Sequence, residues 1–191
     1  MWLVQWEQLK VPFAWSDIFR GRKVSVSSAA FERANVMFNI AMEMNQLACE
    51  QDLSSPDGAK SAAQLCQSAA GYIAELTAYV TEHAELQAQL CDLTPECLNM
   101  VQSVLLGNAQ TCQFQRARGM SKPAIVAKVA AGAAEFYESA VEAVQTSSSL
   151  LAVVPKPLVA QMTAVAALMR AETAGLLMGP LEDEGKYGER V

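Results

Sequence analysis

Apolar residues recur at three- and four-residue steps over most of this chain, the repeat of a helix with one buried stripe. From about Ser28 to Gln51 the stripe is Phe31, Ala34, Met37, Phe38, Ala41, Met44 and Ala48. Val36, Ile40 and Leu47 add a second apolar face, so this helix is expected to pack on both sides. Ser55-Pro56-Asp57 opens the next helix. The serine can cap free amides, the proline is preset for a first turn, and the aspartate suits the positive helix end. That helix carries Ala59, Ala62, Ala63, Cys66, Ala70, Ile73, Leu76 and Val80, and is expected to continue to Leu90. Thr94-Pro95-Glu96 repeats the start signal for a third helix ending near Arg118-Gly119. Pro123 starts a fourth, with Ile125, Val129, Ala133, Phe136, Ala140, Val141 and Val144 as its stripe and Ser147-Ser148-Ser149 as its end. Pro155 and Pro157 bracket a turn, and a fifth helix runs from about Leu158 to Met178, where Gly179-Pro180 should break it.

Five helices on short connections must be largely antiparallel neighbours. Ala62-Ala63, Ala69-Ala70-Gly71 and Ala130-Ala131-Gly132-Ala133-Ala134 would let their axes approach closely. The expected fold is all-α: antiparallel helical hairpins in a curved, tetratricopeptide-like solenoid, without the strict repeat signature of that family. Residues 1–25 form an irregular, aromatic-rich lead-in to a helical domain over 26–191. Pro12, Gly21 and the cations Arg20, Arg22 and Lys23 interrupt any period there, while Trp2, Trp6, Phe13, Trp15 and Phe19 supply bulk to plug into the helices. No strand alternation of useful length is evident.

Composition narrows the function more than the fold. An apolar content of 52% argues against disorder, and the apolar runs are broken short of a membrane span. The start, Met1-Trp2-Leu3-Val4-Gln5-Trp6, lacks the basic region and long apolar stretch of a signal peptide. A net charge of −6 argues against broad nucleic-acid binding but allows a local basic patch. The five cysteines, Cys49, Cys66, Cys91, Cys97 and Cys112, have no paired metal-binding spacing, and three lie within apolar helical patterns as ordinary buried thiols would. Cys91 and Cys97 flank a turn, but an intracellular, reducing compartment fits the odd set best. His83, the single histidine, sits in the polar stretch Thr81-Glu82-His83-Ala84-Glu85 with no nucleophile marked beside it. No phosphate-cradling glycine motif occurs, and Glu182-Asp183-Glu184 reads as a solvated acidic turn. The chain is read as a non-enzymatic interaction module, with no catalytic residue, cofactor or metal.

Several segments, in order, resemble the BRO-one domain of the Alix family of endosomal scaffold proteins. Phe13-Ala14-Trp15-Ser16-Asp17-Ile18-Phe19 is similar to the family's aromatic opening motif. Glu32-Arg33-Ala34-Asn35-Val36-Met37-Phe38-Asn39 resembles its first well-marked helix, followed by Ala48-Cys49-Glu50-Gln51-Asp52. Pro56-Asp57-Gly58-Ala59-Lys60 resembles the next helix start. Asn108-Ala109-Gln110, Ala127-Lys128-Val129-Ala130, Phe136-Tyr137-Glu138 and Glu184-Gly185-Lys186-Tyr187-Gly188-Glu189 continue the match. The likeness covers residues 13–191 and corresponds to the middle of the family's domain, so the domain is expected to be incomplete at both ends.

The resemblance implies a curved helical body that docks the C-terminal amphipathic helix of an ESCRT-III charged multivesicular body protein. The positions matching that patch are Lys60, Gln113, Arg116, Ile125 and Val129. Gln113 stands where the family has a central aromatic, and Phe114 beside it should point elsewhere, about 100° around the helix. On spacing alone Ile125, Val129 and Phe136 share one helical face and read first as core, and only the resemblance turns them toward docking. It also implies a cytoplasmic protein, peripheral at endosomes through its partners. The alternatives are a scaffold of the same fold in Rho or alkaline-pH signalling, or a degenerate, non-binding fragment. Loss of flanking helices would uncover Leu158, Met162, Val165, Met169, Leu176 and Leu177 on the last helix and favour self-association.

Overall fold

Among the described residues proline marks four of the six helix starts, because a missing amide costs nothing where the helix has no partner for it. The computed structural model describes residues 11–119 and 122–183, with side chains through residue 178. Helix α1 spans Ala29–Cys49, α2 Pro56–Glu82, α3 Pro95–Arg118, α4 Pro123–Thr146, α5 Ser148–Val153 and α6 Lys156–Asp183. Ser28, Ser55, Thr94 and Ser147 cap α1, α2, α3 and α5 by accepting from Phe31, Gly58, Cys97 and Leu150 amides. Each long helix packs on the one before it, in the order α1, α2, α3, α4, α6. The fold is all-α, built from antiparallel hairpins as expected.

Two interiors result. The larger holds the start of α1, the end of α2, the start of α3, the end of α4 and the start of α6, filled by Phe31, Ile73, Leu76, Leu98, Leu105 and Val144. At the opposite end the helices meet through small side chains. Ala48, Ala62, Ala63, Cys66, Ala109 and Cys112 form one cluster, and Ala130, Ala133 and Ala134 join Phe114, Val126 and Met169 in another. Between the two, a Cβ at Gly107 would lie 3.0 Å from the Tyr137 ring, so only glycine leaves that ring its place. The Tyr137 hydroxyl then donates to Asn108 Oδ1 at 2.6 Å, and Asn108 Nδ2 donates to Asn45 Oδ1 at 3.0 Å, tying α4 to α3 and α1.

The lead-in is more regular than its sequence suggests. Strands β1 (Phe13–Ser16) and β2 (Lys23–Val26) pair antiparallel, with Trp15 opposite Val24. Gly21, at φ 64°, makes the turn in a conformation that disfavours a side chain. Phe13, Trp15 and Phe19 pack against the large core as expected, and Trp15 Nε1 donates to Glu32 at 2.6 Å. Trp2 and Trp6 lie outside the described residues. Asp17 holds the turn together by accepting from the amides of Phe19, Arg20 and Arg22. Buried Asp92, in a 3-10 turn over 91–93, accepts from Ile18 N and fastens the hairpin to the helices.

Several boundaries and faces differ from expectation. Helix α2 ends at Glu82 rather than near Leu90. Gln87 Nε2 donates to the Val80 carbonyl at 2.9 Å, folding the chain back so that Leu86 and Leu90 enter the core. The serine run ends α4 but also caps the short α5. Helix α6 passes through Gly179-Pro180 to Asp183, since a proline near a helix end removes one hydrogen bond from a helix already anchored along α4. Val36, Ile40 and Leu47 are exposed rather than packed, because among the described residues α1 has only α2 as a helical neighbour of any extent. Cys49 is exposed rather than buried for the same reason. Met162 and Met169, expected on an uncovered face of the last helix, are buried against α4, with Leu158, Val165 and Leu176 half-buried beside them. Leu168 and Leu177 are the large exposed residues of that helix, with Met178.

Candidate docking site

Antiparallel stacking brings the start of α2, the end of α3 and the start of α4 to the end of the molecule where the small side chains pack. All the sequence-derived docking residues fall there. Lys60 is exposed in the first turns of α2, and Gln113 and half-buried Arg116 lie in the last turns of α3. Ile125 and Val129 occupy the first two turns of α4.

The inter-helix register decides which of these meet. Gly107 faces Tyr137 and Gly132 faces Gln110, so going down α3 means going up α4. That register sets Gln113 level with Val129 and Arg116 level with Ile125. Lys60 shares the end of the molecule but sits on α2, outside the α3–α4 register that pairs the other four. Phe114, adjacent to Gln113, is only 1% exposed and lies inside the α3–α4–α6 cluster, as the 100° step requires.

The fourth helix buries Ala133, Ala140 and Val144 of the stripe read from its sequence but not Ile125, Val129, Phe136 or Val141. Val126, Ala130 and Tyr137, each one residue along from an expected position, are buried instead. Ile125 is therefore 52% exposed, Val129 is half-buried against the α3–α6 cluster, and Phe136 is half-buried. A large aliphatic side chain at the lip of a helix start, next to a half-buried valine, offers a partner apolar area without being needed by the fold.

Charge at this end is locally reversed. Arg116, Arg118, Lys122 and Lys128 bring four of the 14 Lys and Arg residues of an acidic chain to the α3–α4 turn. Arg118 stays exposed but is engaged, its guanidinium 5.3 Å over the Phe114 ring and 3.7 Å from Glu172 on α6. Farther along α6, Arg170 meets Glu138, whose carboxyl that hydrogen bond holds below the usual range. Arg116, Lys122 and Lys128 carry no such partner among the described residues. The surface thus combines aliphatic area with free positive charge.

Little else at the surface suggests chemistry. His83 ends α2 against the Tyr79 ring, 3.5 Å from Glu85. No group of three His, Cys, Asp or Glu among the described residues is arranged to hold a metal ion. No described helix is long and apolar enough to cross a membrane. A cleft of about 790 Å³ is lined by Val144, Leu151, Val154, Val159 and Ala164, at the other end of α4. Periodicity could not reveal it, because α5 creates it from a segment too short to show a repeat.

Comparison with known proteins agrees with this architecture. ALG-2 interacting protein X of Dictyostelium discoideum is 30% identical over 184 residues, covering 96% of this chain and 23% of that protein. Vacuolar protein-sorting protein BRO1 of Gibberella zeae is 32% identical over 140 residues, 73% of this chain and 14% of the relative. The chain thus spans under a quarter of the length of these relatives. The solved ALIX BRO1 complex with CHMP4C superposes with a TM-score of 0.82 at 26% identity, over 96% of this chain and 52% of that one. The model of the BRO1-like domain matches residues 3–191, and with the shared helical stack this shows that the chain belongs to the BRO1-like domain family.

Proposed function

We propose that this chain is a non-enzymatic protein-docking module. In this reading it receives the C-terminal amphipathic helix of an ESCRT-III charged multivesicular body protein at the α3–α4 end. It acts in endosomal sorting from the cytoplasm, reaching the membrane surface through its partners. The observation that carries the reading is the exposed Ile125 beside Val129 among unpaired cations, an aliphatic patch that the fold itself does not bury. The likeness to an ALIX BRO1 structure solved with CHMP4C supports the choice of partner. The matched relative from Gibberella zeae, named as a vacuolar protein-sorting protein, supports the pathway.

Docking would follow the helix-in-groove mode, with apolar residues of the partner covering Ile125 and Val129 while its acidic flank meets Arg116 and Lys60. Burying an isoleucine is worth about 1.5–3 kcal/mol, so Ile125→Asp, which also strands a charge, should weaken binding by more than tenfold. The melt should barely change, because the position is already solvated in the free protein. The test is titration of the helical peptide into wild type and variants, beside thermal melts. Undiminished binding by Ile125→Asp would refute docking at this end. Gln113→Phe restores an aromatic level with Val129 and should tighten binding, and no gain would mean a different seat for the partner helix.

A further inference from the structure

One buried feature is not used by docking. Cys66 on α2 and Cys112 on α3 line a cavity of about 170 Å³, together with Asn45, Asn108, Thr111 and Tyr137. Both thiols are free and buried, and both belong to the cluster otherwise made of alanines. Their neighbours in the cluster are alanines, whose small side chains let α2 and α3 approach closely and leave the two thiols sharing one small space. The cavity wall at its mouth includes Cys49 and Leu53, both exposed, so small solutes have a path inward.

We propose that Cys66 and Cys112 form an oxidisable dithiol, converted by a small hydroperoxide into a disulfide that clips α2 to α3. Polar groups around the pair suit such chemistry. The Cys66 thiol lies 3.9 Å from Asn45 Oδ1, and that oxygen also accepts from Asn108 Nδ2, so the amide dipole is fixed in place. The neighbouring Cys66 thiol brings the Cys112 thiol below its ordinary value, while Cys66 itself is pushed up, first by its pairing with Cys112 and then by burial. Cys112 is therefore the sulfur that ionises first, with Cys66 beside it still holding its proton.

The steps balance. The Cys112 thiolate attacks the terminal peroxide oxygen, the O–O bond breaks, and the departing alkoxide or hydroxide leaves as alcohol or water after taking up a proton. Cys112 is then a sulfenic acid. The Cys66 sulfur, losing its proton, attacks the Cys112 sulfur and displaces hydroxide, which takes up that proton as water. Overall two thiols and one peroxide give one disulfide, one water and one water or alcohol. Exposed Cys49 at the mouth of the same cavity is the internal comparison, since it meets the oxidant first but lies outside the buried Cys66–Cys112 cluster.

The experiment treats the full folded chain with hydrogen peroxide, removes the oxidant, unfolds the chain in denaturant with a thiol-blocking reagent so that buried thiols are reached, and maps the cysteines by mass spectrometry without reduction. The expected product has lost two hydrogens, contains a Cys66–Cys112 linked peptide, and leaves the other three of the five cysteines blockable. Cys66→Ser should stop the reaction at a sulfenic acid on Cys112 that a dimedone probe captures. Reversal by a dithiol reductant should return all five free thiols. Oxygen gained only at Cys49 with Cys66 and Cys112 still free, or a linkage of either to Cys49, would overturn the assignment. Because wild type alone decides pairing, the outcome does not depend on the variant folding, nor on whether the docking partner is the one proposed.

Discussion

Asp92 shows how much one residue can carry. It is 3% exposed, accepts from Ile18 N through Oδ2, and leaves Oδ1 without a partner among the described atoms. Burial raises its carboxyl to about 6, the Ile18 amide pulls the other way, and nearby Asp17 adds to the rise. Arg20 and the thiols of Cys91 and Cys97 also lie near this pair of carboxylates. A group whose pKa is raised by folding favours the protonated fold. Its stabilisation is complete below about 4 and is lost as pH climbs through about 6, by roughly 2–3 kcal/mol. Asp17 works in the opposite sense and in a lower window. Burial raises it, but the amides of Arg20, Arg22 and Phe19 bring it below its ordinary value, so its contribution is lost only as pH falls below about 4. Thermal melts between pH 4 and 7 should therefore fall for wild type and stay flatter for Asp92→Asn, whose amide oxygen still accepts from Ile18. Parallel pH profiles for the two proteins would refute the role of Asp92. None of this was visible in Cys91-Asp92-Leu93, where an aspartate in a turn reads as solvated.

Helix edges were legible where a residue states a local preference, and less so where neighbours decide. Ser55-Pro56 and Thr94-Pro95 mark starts to the residue, because capping and proline geometry act within one turn. On α4, Ala133, Ala140 and Val144 were read correctly but Ile125, Val129 and Phe136 were each off by one residue, since alanine offers little contrast for periodicity and either neighbouring line could have been buried. On α6, Met162 and Met169 belonged to the right stripe but were expected to lose their cover. The structure packs them on α4 and turns Leu168 outward at 55% exposed. Met162→Asp should therefore unfold the helix pair, costing several kcal/mol. Leu168→Asp should leave the melt within about 0.5 kcal/mol of wild type in stability. Equal melts for the two variants would mean that α6 sits in another rotation.

At the scale of the whole molecule, net charge and local charge point in opposite directions. The chain carries −6, yet the α3–α4 turn gathers Arg116, Lys122 and Lys128 without partners among the described residues. Docking at that end should weaken as salt rises, and Arg116→Glu should lower both the affinity and the slope of that dependence at an unchanged melting temperature. Isothermal titration at low and high salt reads both, and a variant with wild-type slope would remove Arg116 from the contact. The all-helical class, the antiparallel order and the starts of α1 to α4 were determined by the sequence itself, because periodicity, capping and short connections are local. Tertiary structure alone decided that Ile125 is a surface residue, that Cys66 meets Cys112, and that Asp92 is buried under a hairpin 74 residues away along the chain. These depend on how alanine-faced helices settle against one another, where a rotation of one residue costs little locally and is fixed only by the packed neighbours.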